Sequence, residues 1–284
     1  MEIKIALLVI VSLFGLAIGS FITALVPRLK KKENFVSDRS RCPHCKHKLS
    51  PIELIPLLSY VIQGGKCKHC GKPISFFYPA VEFSTALVFV LTFLRIQDQI
   101  NIYSTESVSK ILAISILIGL FLSIFIFFGA YDVMYREVPD KISLPLIVIL
   151  IVVNLILFSK TSASNSSLEL LGFIKISPLS NLASGFAAAA FIAVLVILTG
   201  GKGMGGGDMR IAALIGLISG WKGTIVSFYL AFIVGSIVGL IMAARIGKIK
   251  GVKLPFVPFL SLGVILSFLF QAEIFRFIFP VLSI

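Results

Sequence analysis

The sequence contains few charged residues and very few acidic ones. Only 14% of its 284 residues are Asp, Glu, Lys or Arg, and only 13 are acidic. Long blocks lack charge almost entirely, hydrophobic residues make up 57% of the chain, and the mean hydropathy is +1.03. This composition excludes an ordinary soluble domain. It is typical of a multi-pass membrane protein, which has the lipid bilayer as a partner.

Other absences narrow the class of protein further. The first apolar block lacks a small-residue cleavage site and is followed by basic residues, so we do not expect a cleaved signal peptide. The chain has no internal repeat. Its net charge of +13 does not indicate nucleic-acid binding, because Lys and Arg cluster in loops between apolar blocks. In such loops they set membrane topology and contact anionic lipid.

The apolar segments predict an all-α polytopic fold with about eight transmembrane helices, judged against the ~20 residues that one span needs. The segments are 5–27, 77–95, 111–133, 142–158, 181–199, 208–220, 223–244 and 256–280. The sixth segment is short, so we expect a tilted or partly buried helix there. The polar stretch 161–167 predicts a flexible outer loop.

The orientation of the chain follows from its basic residues. The loop 28–76 holds eleven Lys and Arg residues, and most of the others lie in alternate loops after it. The positive-inside rule therefore places this loop in the cytoplasm and both chain termini outside the cytoplasm. With this orientation, Asp132 and Asp208 both lie at cytoplasmic ends of apolar segments.

All four cysteines lie in the 28–76 loop, in two C-x-x-C knuckles formed by Cys42, Cys45, Cys67 and Cys70. Two cysteines three residues apart on a tight turn direct both sulfurs at one ion, so the pattern predicts a four-thiolate zinc site. Disulfides are not expected, because cytoplasmic thiols stay reduced. A site closed by four cysteines makes the zinc structural rather than catalytic. We therefore interpret the loop as a small zinc-knuckle domain.

The three histidines of the chain also lie in or beside the knuckles, at His44, His47 and His69. Two interpretations are open: they are alternative metal ligands, or they lie beside the site or face solvent. We favour the second interpretation, because four cysteines already complete a tetrahedral site. Gly71, directly after the second knuckle, suits the tight turn that such a site needs.

The main candidate for chemistry is Asp208, which follows the glycine-rich supporting loop Gly205, Gly206 and Gly207 at the start of an apolar segment. Glycines leave room for another chain to approach the backbone. A carboxylate at membrane depth is expensive and indicates a functional site with a partner, for which Asp132 is the candidate. Two carboxylates that share one proton define an aspartyl protease, although the residues do not decide which Asp holds it.

Four other acidic residues receive structural interpretations. Asp140 precedes an apolar run and is interpreted as a helix N-cap. Glu137 is interpreted as a solvated loop residue, and Glu273, near the far end of the last segment, as interfacial. Glu82 lies inside the second segment and is interpreted as a buried hydrogen-bonding partner rather than a catalyst.

Together these motifs resemble the type IV prepilin peptidases, which are membrane aspartyl proteases of the GxGD type. Gly205-Gly206-Gly207-Asp208 supplies the GxGD motif, and Asp132, eight residues before Asp140, stands where the family has its first catalytic Asp. The two knuckles are similar to the cysteine loop of the family. Further similar motifs are Gly15–Phe21, Tyr78–Glu82, Val138–Asp140 and Pro255–Phe259.

The resemblance implies a bacterial inner-membrane endopeptidase that removes a short basic leader from type IV prepilins or pseudopilins, after a glycine, at the cytoplasmic face. It implies four parts: a first helix (1–27), the zinc loop (28–76), a second helix with an outer loop (77–110) and a six-helix protease core (111–284). In many relatives the new N-terminus is also methylated with S-adenosylmethionine. The chain has no Rossmann-type glycine fingerprint, so no residues are predicted to bind that cofactor.

Other functions remain as alternatives. A GxGD protease could act on another substrate such as preflagellin, although the shorter preflagellin-type enzymes lack a knuckle loop. A transporter with a zinc-bound regulatory loop would also place acids inside spans. A methyltransferase without protease activity would leave Asp132 unexplained. If peptide cleavage requires Asp208, the protein is a protease. If ion flux requires it, the protein is a transporter.

Overall fold

The protein is described by a computed structural model that covers residues 2–33, 40–99, 105–161, 168–170, 174–201, 203–247 and 254–280. These residues contain eight α-helices, of which seven are long and apolar enough to cross a membrane. The helices are α1 (Glu2–Lys31), α2 (Leu58–Ile62), α3 (Phe77–Gln99), α4 (Thr105–Tyr135), α5 (Asp140–Thr161), α6 (Pro178–Leu198), α7 (Gly206–Ile246) and α8 (Val257–Ile278). Except for Thr161, the predicted flexible loop lies outside the described residues.

Four short elements were not predicted from the sequence. A 3₁₀ turn (Pro51–Leu54) and the single-turn helix α2 lie in the cysteine loop. Strands β1 (Leu168–Leu170) and β2 (Ile174–Ile176) pair antiparallel, with Leu168 opposite Ile176, in the connection from α5 to α6. The fold is otherwise helical, as the apolar segments predict.

The chain forms two compact units, Met1–Ala130 and Tyr131–Ile284. In the first unit, α1 packs closely against α3. A Cβ atom on Gly15 would lie 2.8 Å from Cα of Ala86, and one on Gly19 would lie 2.6 Å from Cα of Glu82. The two glycines are four residues apart and face one partner helix, which is the small-residue spacing that lets membrane helices approach each other. Larger residues at these positions would force α1 away from α3.

In the second unit, α7 has two arms that meet at Gly220. The backbone there is not helical, with φ 61° and ψ −172°, a conformation that essentially only glycine adopts. The first arm (206–219) packs on α6, where Gly216 lies against the backbone of Ser184. The second arm (221–246) packs on α8, where Gly263 lies against the carbonyl group of Ser227.

The two arms run in opposite directions. Val257, the first residue of α8, bonds to Asp132, and Asp208, in the first turn of α7, interacts with Asp132 as well. The second arm is antiparallel to α8, because Gly223 meets Ser267 while the later Gly235 meets Phe259. Helix α7 therefore leaves the Asp132 end, turns back at Gly220 and returns to the same end.

This reversal accounts for the eight predicted segments. Segments 208–220 and 223–244 are the two arms of α7, so the seven long apolar helices contain all eight predicted segments. The first arm is only about 21 Å long by helical rise, which is shorter than the ~30 Å apolar core of a bilayer. The expectation that the sixth segment is a short, partly buried helix is confirmed, because Ile211, Ala212, Leu214 and Ile215 in it are fully buried.

Polar side chains satisfy backbone carbonyl groups at the break. In an unbroken helix, the carbonyl of Leu217 would accept the N–H of residue 221. Here it accepts from Nδ2 of Asn154 at 3.2 Å, and Oγ1 of Thr224 donates to the carbonyl of Gly220 at 2.7 Å. Oγ of Ser267 donates to the carbonyl of Gly223 at 2.9 Å. Such partners stabilise a break inside a membrane, where lipid offers no hydrogen bonds.

We predict that Gly220→Ala destabilises the second unit by about 1–3 kcal/mol, because any L-residue is strained at this φ and ψ. The added Cβ would also lie 2.9 Å from Oδ1 of Asn181. The measurement is the thermal unfolding temperature in detergent. Gly206→Ala is the matched control, since no atom lies within 4 Å of its added Cβ. Equal unfolding temperatures for the two variants would contradict the account of the reversal.

Candidate active site and metal centre

Asp132 lies near the C-terminal end of α4 and is buried, with 6% of its surface exposed. Its Oδ2 accepts a hydrogen bond of 3.1 Å from the backbone N–H of Val257, at the start of α8. The N-terminus of a helix carries unpaired N–H groups and a positive dipole end, so it stabilises a nearby carboxylate. The start of α8 therefore provides the hydrogen-bond donor that Asp132 needs and that α4 does not supply.

Asp208 lies in the first turn of α7 and is 8% exposed. Its Oδ2 accepts a hydrogen bond of 2.8 Å from the backbone N–H of Gly205, three residues earlier. This is the reach of an acid at the third helical position back to the N-cap residue. The carboxyl groups of Asp132 and Asp208 lie close enough to repel each other electrostatically. The structure thus brings together the two acids that the sequence singled out.

The connection between α4 and α5 holds the start of α7 in place. Val138 is buried, and a Cβ atom on Gly207 would lie 2.7 Å from its Cγ2. On the same connection, the carboxylate of Asp140 accepts a hydrogen bond from the guanidinium of Arg210 in an ion pair. Asp140 is the first residue of α5 and has Arg210 as its partner, so its interpretation as an N-cap was wrong. This pairing was not predictable from the sequence, because the two residues are 70 positions apart along the chain.

The three glycines before Asp208 differ in their surroundings. Gly207 faces Val138 so closely that a side chain would not fit. Among the described residues, no atom lies within 4 Å of a Cβ added to Gly206, and a Cβ on Gly205 would meet only the backbone nitrogen of Gly207, at 4.0 Å. The protein's own packing therefore requires glycine only at Gly207. The space beside Gly205 and Gly206 is open next to the carboxyl group of Asp208.

A separate cleft of about 530 Å³ lies at the other end of the second unit. Its walls come from the start of α6, the reversal in α7 and the last part of α8. The lining residues include Asn181 from α6, Gly220 and Lys222 from α7, and Arg276 from α8. None of its lining residues is acidic. The cleft is therefore not part of the carboxylate pair.

The four cysteines form one cluster in the first unit. The sulfur atoms of Cys42, Cys45, Cys67 and Cys70 all lie within 4.8 Å of one another, and those of Cys42 and Cys70 are 4.0 Å apart. This spacing fits four ligands around one ion with metal–sulfur bonds of about 2.3 Å. The backbone N–H of Cys45 lowers the pKa of the Cys42 thiol to about 7, whereas burial and the neighbouring sulfurs raise that of Cys45 to about 11, so the first proton leaves the cluster from Cys42. The cluster could therefore hold a metal ion.

The two knuckles have the same backbone hydrogen bonds. In the first, the N–H of Cys42 donates to the carbonyl of His47; in the second, the N–H of Cys67 donates to the carbonyl of Lys72. Lys46 and Gly71 occupy equivalent positions, with φ of 60° and 68°. Glycine suits this left-handed conformation, as predicted for Gly71, whereas lysine is strained in it.

Glu82 connects the cysteine loop to α3. It is 8% exposed, and its Oε2 accepts a hydrogen bond of 2.8 Å from the backbone N–H of Leu57. Leu57 has a φ of 57°, which is rare for a residue with a branched side chain. The interpretation of Glu82 as a buried hydrogen-bonding partner is confirmed. Its bond holds the loop at a strained residue directly before α2.

Two family models match the chain. The bacterial Peptidase A24 N-terminal domain matches residues 13–96, and the type IV leader peptidase family matches residues 119–240. The prepilin leader peptidase/N-methyltransferase of Bacillus subtilis (strain 168) is 31% identical over 277 residues, which cover 95% of this chain and 97% of that protein. The protein of the same name from Pseudomonas aeruginosa is 28% identical over 291 residues, with 93% and 90% covered. No solved structure matches significantly.

The chain therefore belongs to the type IV leader peptidase family, a family of membrane peptidases. Its apolar helices and its family make it a multi-pass protein of the inner membrane. The resemblance inferred from the sequence motifs is confirmed over most of the chain.

We predict that Glu82→Leu speeds hydrogen exchange at the amide of Leu57, because that N–H loses its acceptor at a cost of about 1–3 kcal/mol. Glu82→Gln is the matched variant, since its amide oxygen can still accept the bond. Exchange measured by mass spectrometry of the cysteine loop should rise in Glu82→Leu and stay near the wild-type rate in Glu82→Gln. The same rate in all three proteins would show that Glu82 does not hold the loop.

Proposed function

We propose that the chain is an aspartyl endopeptidase that cleaves the leader peptide from type IV prepilins or pseudopilins. The observation that carries the proposal is the pair Asp132 and Asp208, two buried carboxyl groups that interact, each with a backbone N–H as partner. Family membership supports the same reaction, because the curated relatives are named prepilin leader peptidases.

The proposed reaction needs one ionised and one protonated carboxyl group. The ionised Asp takes a proton from a water molecule, whose oxygen then attacks the carbonyl carbon of the scissile peptide bond. The protonated Asp donates a hydrogen bond to the developing oxyanion. The carbon–nitrogen bond breaks when the leaving nitrogen receives a proton from the pair. Backbone N–H groups at Val257 and Gly205 keep both acids in place without adding a competing side-chain acid.

The open backbone at Gly205 and Gly206 is the proposed path of the substrate. A peptide can approach this backbone closely, because no side chain of the residues that the structure describes lies there. In an extended substrate, the scissile carbonyl would lie beside Asp208. The substrate's apolar helix, rather than its basic leader, would contribute most of the binding, since the connections at this end of the second unit carry the basic residues Arg136, Lys141, Arg210 and Arg245.

The same basic residues support the proposed orientation. They lie at the end of the second unit that holds Asp132 and Asp208, so the positive-inside rule puts the pair at the cytoplasmic face and both termini outside. Leaders that stay in the cytoplasm would reach the pair there. Within this arrangement, residues 111–284 form the proposed six-helix protease core. The preceding parts, 1–27, 28–76 and 77–110, form the first helix, the zinc loop and the second helix with its outer loop.

We propose that Cys42, Cys45, Cys67 and Cys70 bind one structural zinc ion. Four thiolates at the observed spacing suit tetrahedral zinc and leave no position for water or substrate. The zinc would join two knuckles that are each closed by one short backbone bridge, Arg41 with Lys48 in the first and Lys66 with Pro73 in the second. Its role is to hold the loop folded, since its thiolate ligands complete the coordination sphere.

Methyl transfer to the new N-terminus is a second proposed activity. The relatives that match nearly the whole chain are named N-methyltransferases as well as peptidases. S-adenosylmethionine would supply the methyl group. The described residues contain no glycine-rich cradle or polar cluster that identifies a site for this cofactor, so no residue is assigned to it.

We predict that Asp132→Asn and Asp208→Asn each lower the cleavage rate of a prepilin-like peptide by at least about 10⁴-fold, because neither variant can form the acid–base pair. The proteins should remain folded, since Asn keeps an oxygen for the backbone N–H. The measurement is mass spectrometry of the products in detergent. Cleavage by either variant near the wild-type rate would overturn the proposal. A loss of ion flux in Asp208→Asn, with no cleavage by wild type, would support the transport function instead.

We predict that Gly206→Ala slows cleavage while leaving the unfolding temperature unchanged, because its Cβ meets no protein atom but enters the proposed substrate path. Gly239→Ala is the control for a methyl group added at the same end of the second unit but away from the start of α7, since its Cβ meets a side-chain atom of Leu254 at 3.3 Å. The measurement is the rate of peptide cleavage for both variants. Equal rates in Gly206→Ala and wild type would exclude a close approach of the substrate at this glycine.

We predict that Cys42→Ser lowers the zinc content of the purified protein and makes the cysteine loop more sensitive to protease, because three thiolates hold the ion less tightly than four. The catalytic step should change less than in the Asp variants. His44→Asn, in the same knuckle, should retain the zinc. Metal analysis by mass spectrometry checks both variants. Wild-type protein without zinc would contradict the site.

A further inference from the structure

Three potential metal ligands lie together outside the four-cysteine cluster. A nitrogen of His47, a carboxylate oxygen of Glu53 and a nitrogen of His69 lie within 4.8 Å of one another. His47 follows the first knuckle, His69 lies inside the second, and Glu53 lies in the 3₁₀ turn between them. The fold of the loop thus brings one side chain from each of three separate segments to a single place.

The two imidazole rings are unusually close. Their centroids are 3.4 Å apart and their planes are inclined by 32°. The rings are therefore stacked, and one nitrogen of each lies within 4.8 Å of a carboxylate oxygen of Glu53. Both imidazoles thus present a nitrogen beside this carboxylate.

The third ligand has an unused oxygen. Oε2 of Glu53 accepts hydrogen bonds of 2.9 Å from the backbone N–H and from Oγ of Ser50. Oε1 is buried and has no hydrogen-bond partner among the described residues. A buried carboxylate oxygen without a partner is costly, and a cation beside it would remove that cost.

We propose that His47, Glu53 and His69 form a second site, which binds a divalent transition-metal ion such as zinc. Two imidazoles and one carboxylate are a ligand set typical of zinc sites with an open fourth position, which water fills. Both histidines are exposed, so this ion exchanges with solvent more readily than an ion held by four thiolates. Exposure to solvent agrees with the favoured interpretation from the sequence, and the proposal adds a ligand role for His47 and His69 but not for His44.

Cobalt binding to the full-length protein in detergent tests the second site. Cobalt held by four thiolates gives an intense sulfur-to-metal absorption band, whereas cobalt held by nitrogen and oxygen does not. Metal-free wild-type protein should bind about two cobalt ions per chain, the first of which develops the thiolate band. His69→Asn and Glu53→Gln should each bind about one ion and keep that band unchanged. His44→Asn, a histidine in the same loop outside the cluster, should still bind about two.

Three results would overturn the second site. The first is saturation of wild type at a single cobalt ion. The second is a shifted thiolate band in His69→Asn, since this histidine would then be a ligand of the cysteine site. The third is an unchanged cobalt content in both His69→Asn and Glu53→Gln. An intact thiolate band shows in every variant that the loop is folded, so a lost second ion cannot be attributed to unfolding. None of these readouts depends on peptidase activity.

Discussion

The second unit depends on the burial of two carboxyl groups at membrane depth. A buried acid is stable there only if hydrogen-bond donors replace the water that it loses. Asp132 obtains its donor from the first N–H of α8, and Asp208 from Gly205 at the start of α7. Both acids therefore require helices to begin at one end of the unit. The repulsion between the acids is what makes one of them a candidate base and the other a candidate acid.

Two features of the chain meet this requirement. The reversal at Gly220 returns α7 to the Asp132 end, so that α8 can begin beside the acid. The loop between α4 and α5 fixes the start of α7 through Val138 against Gly207 and through the ion pair of Asp140 with Arg210. Glycine is needed at Gly207 and Gly220 for different reasons, close packing in one case and backbone conformation in the other. The open space at Gly205 and Gly206 serves neither purpose, and it is the proposed path of the substrate.

The sequence predicted the features that depend on local spacing. The eight apolar segments follow from hydropathy, and the two knuckles follow from the C-x-x-C spacing. The pairing of Asp132 with Asp208 follows from the high free energy of an isolated carboxylate in a membrane. The partners of these groups were not predictable, because Val257 and Asp132 are brought together only by the fold. For the same reason the sequence suggested an N-cap for Asp140 and missed Arg210, and it gave Glu53 no role beside the histidines.

The central claim is that Asp132 and Asp208 act as one catalytic unit. Residues that act as a unit are non-additive, so removal of the second acid should change nothing once the first is absent. The most direct test compares residual cleavage of a prepilin-like peptide by Asp132→Asn, by Asp208→Asn and by the double variant, over long incubations. The account predicts that all three have the same residual rate. A double variant that is slower by the product of the two single effects would show that the acids contribute independently, and would contradict the account.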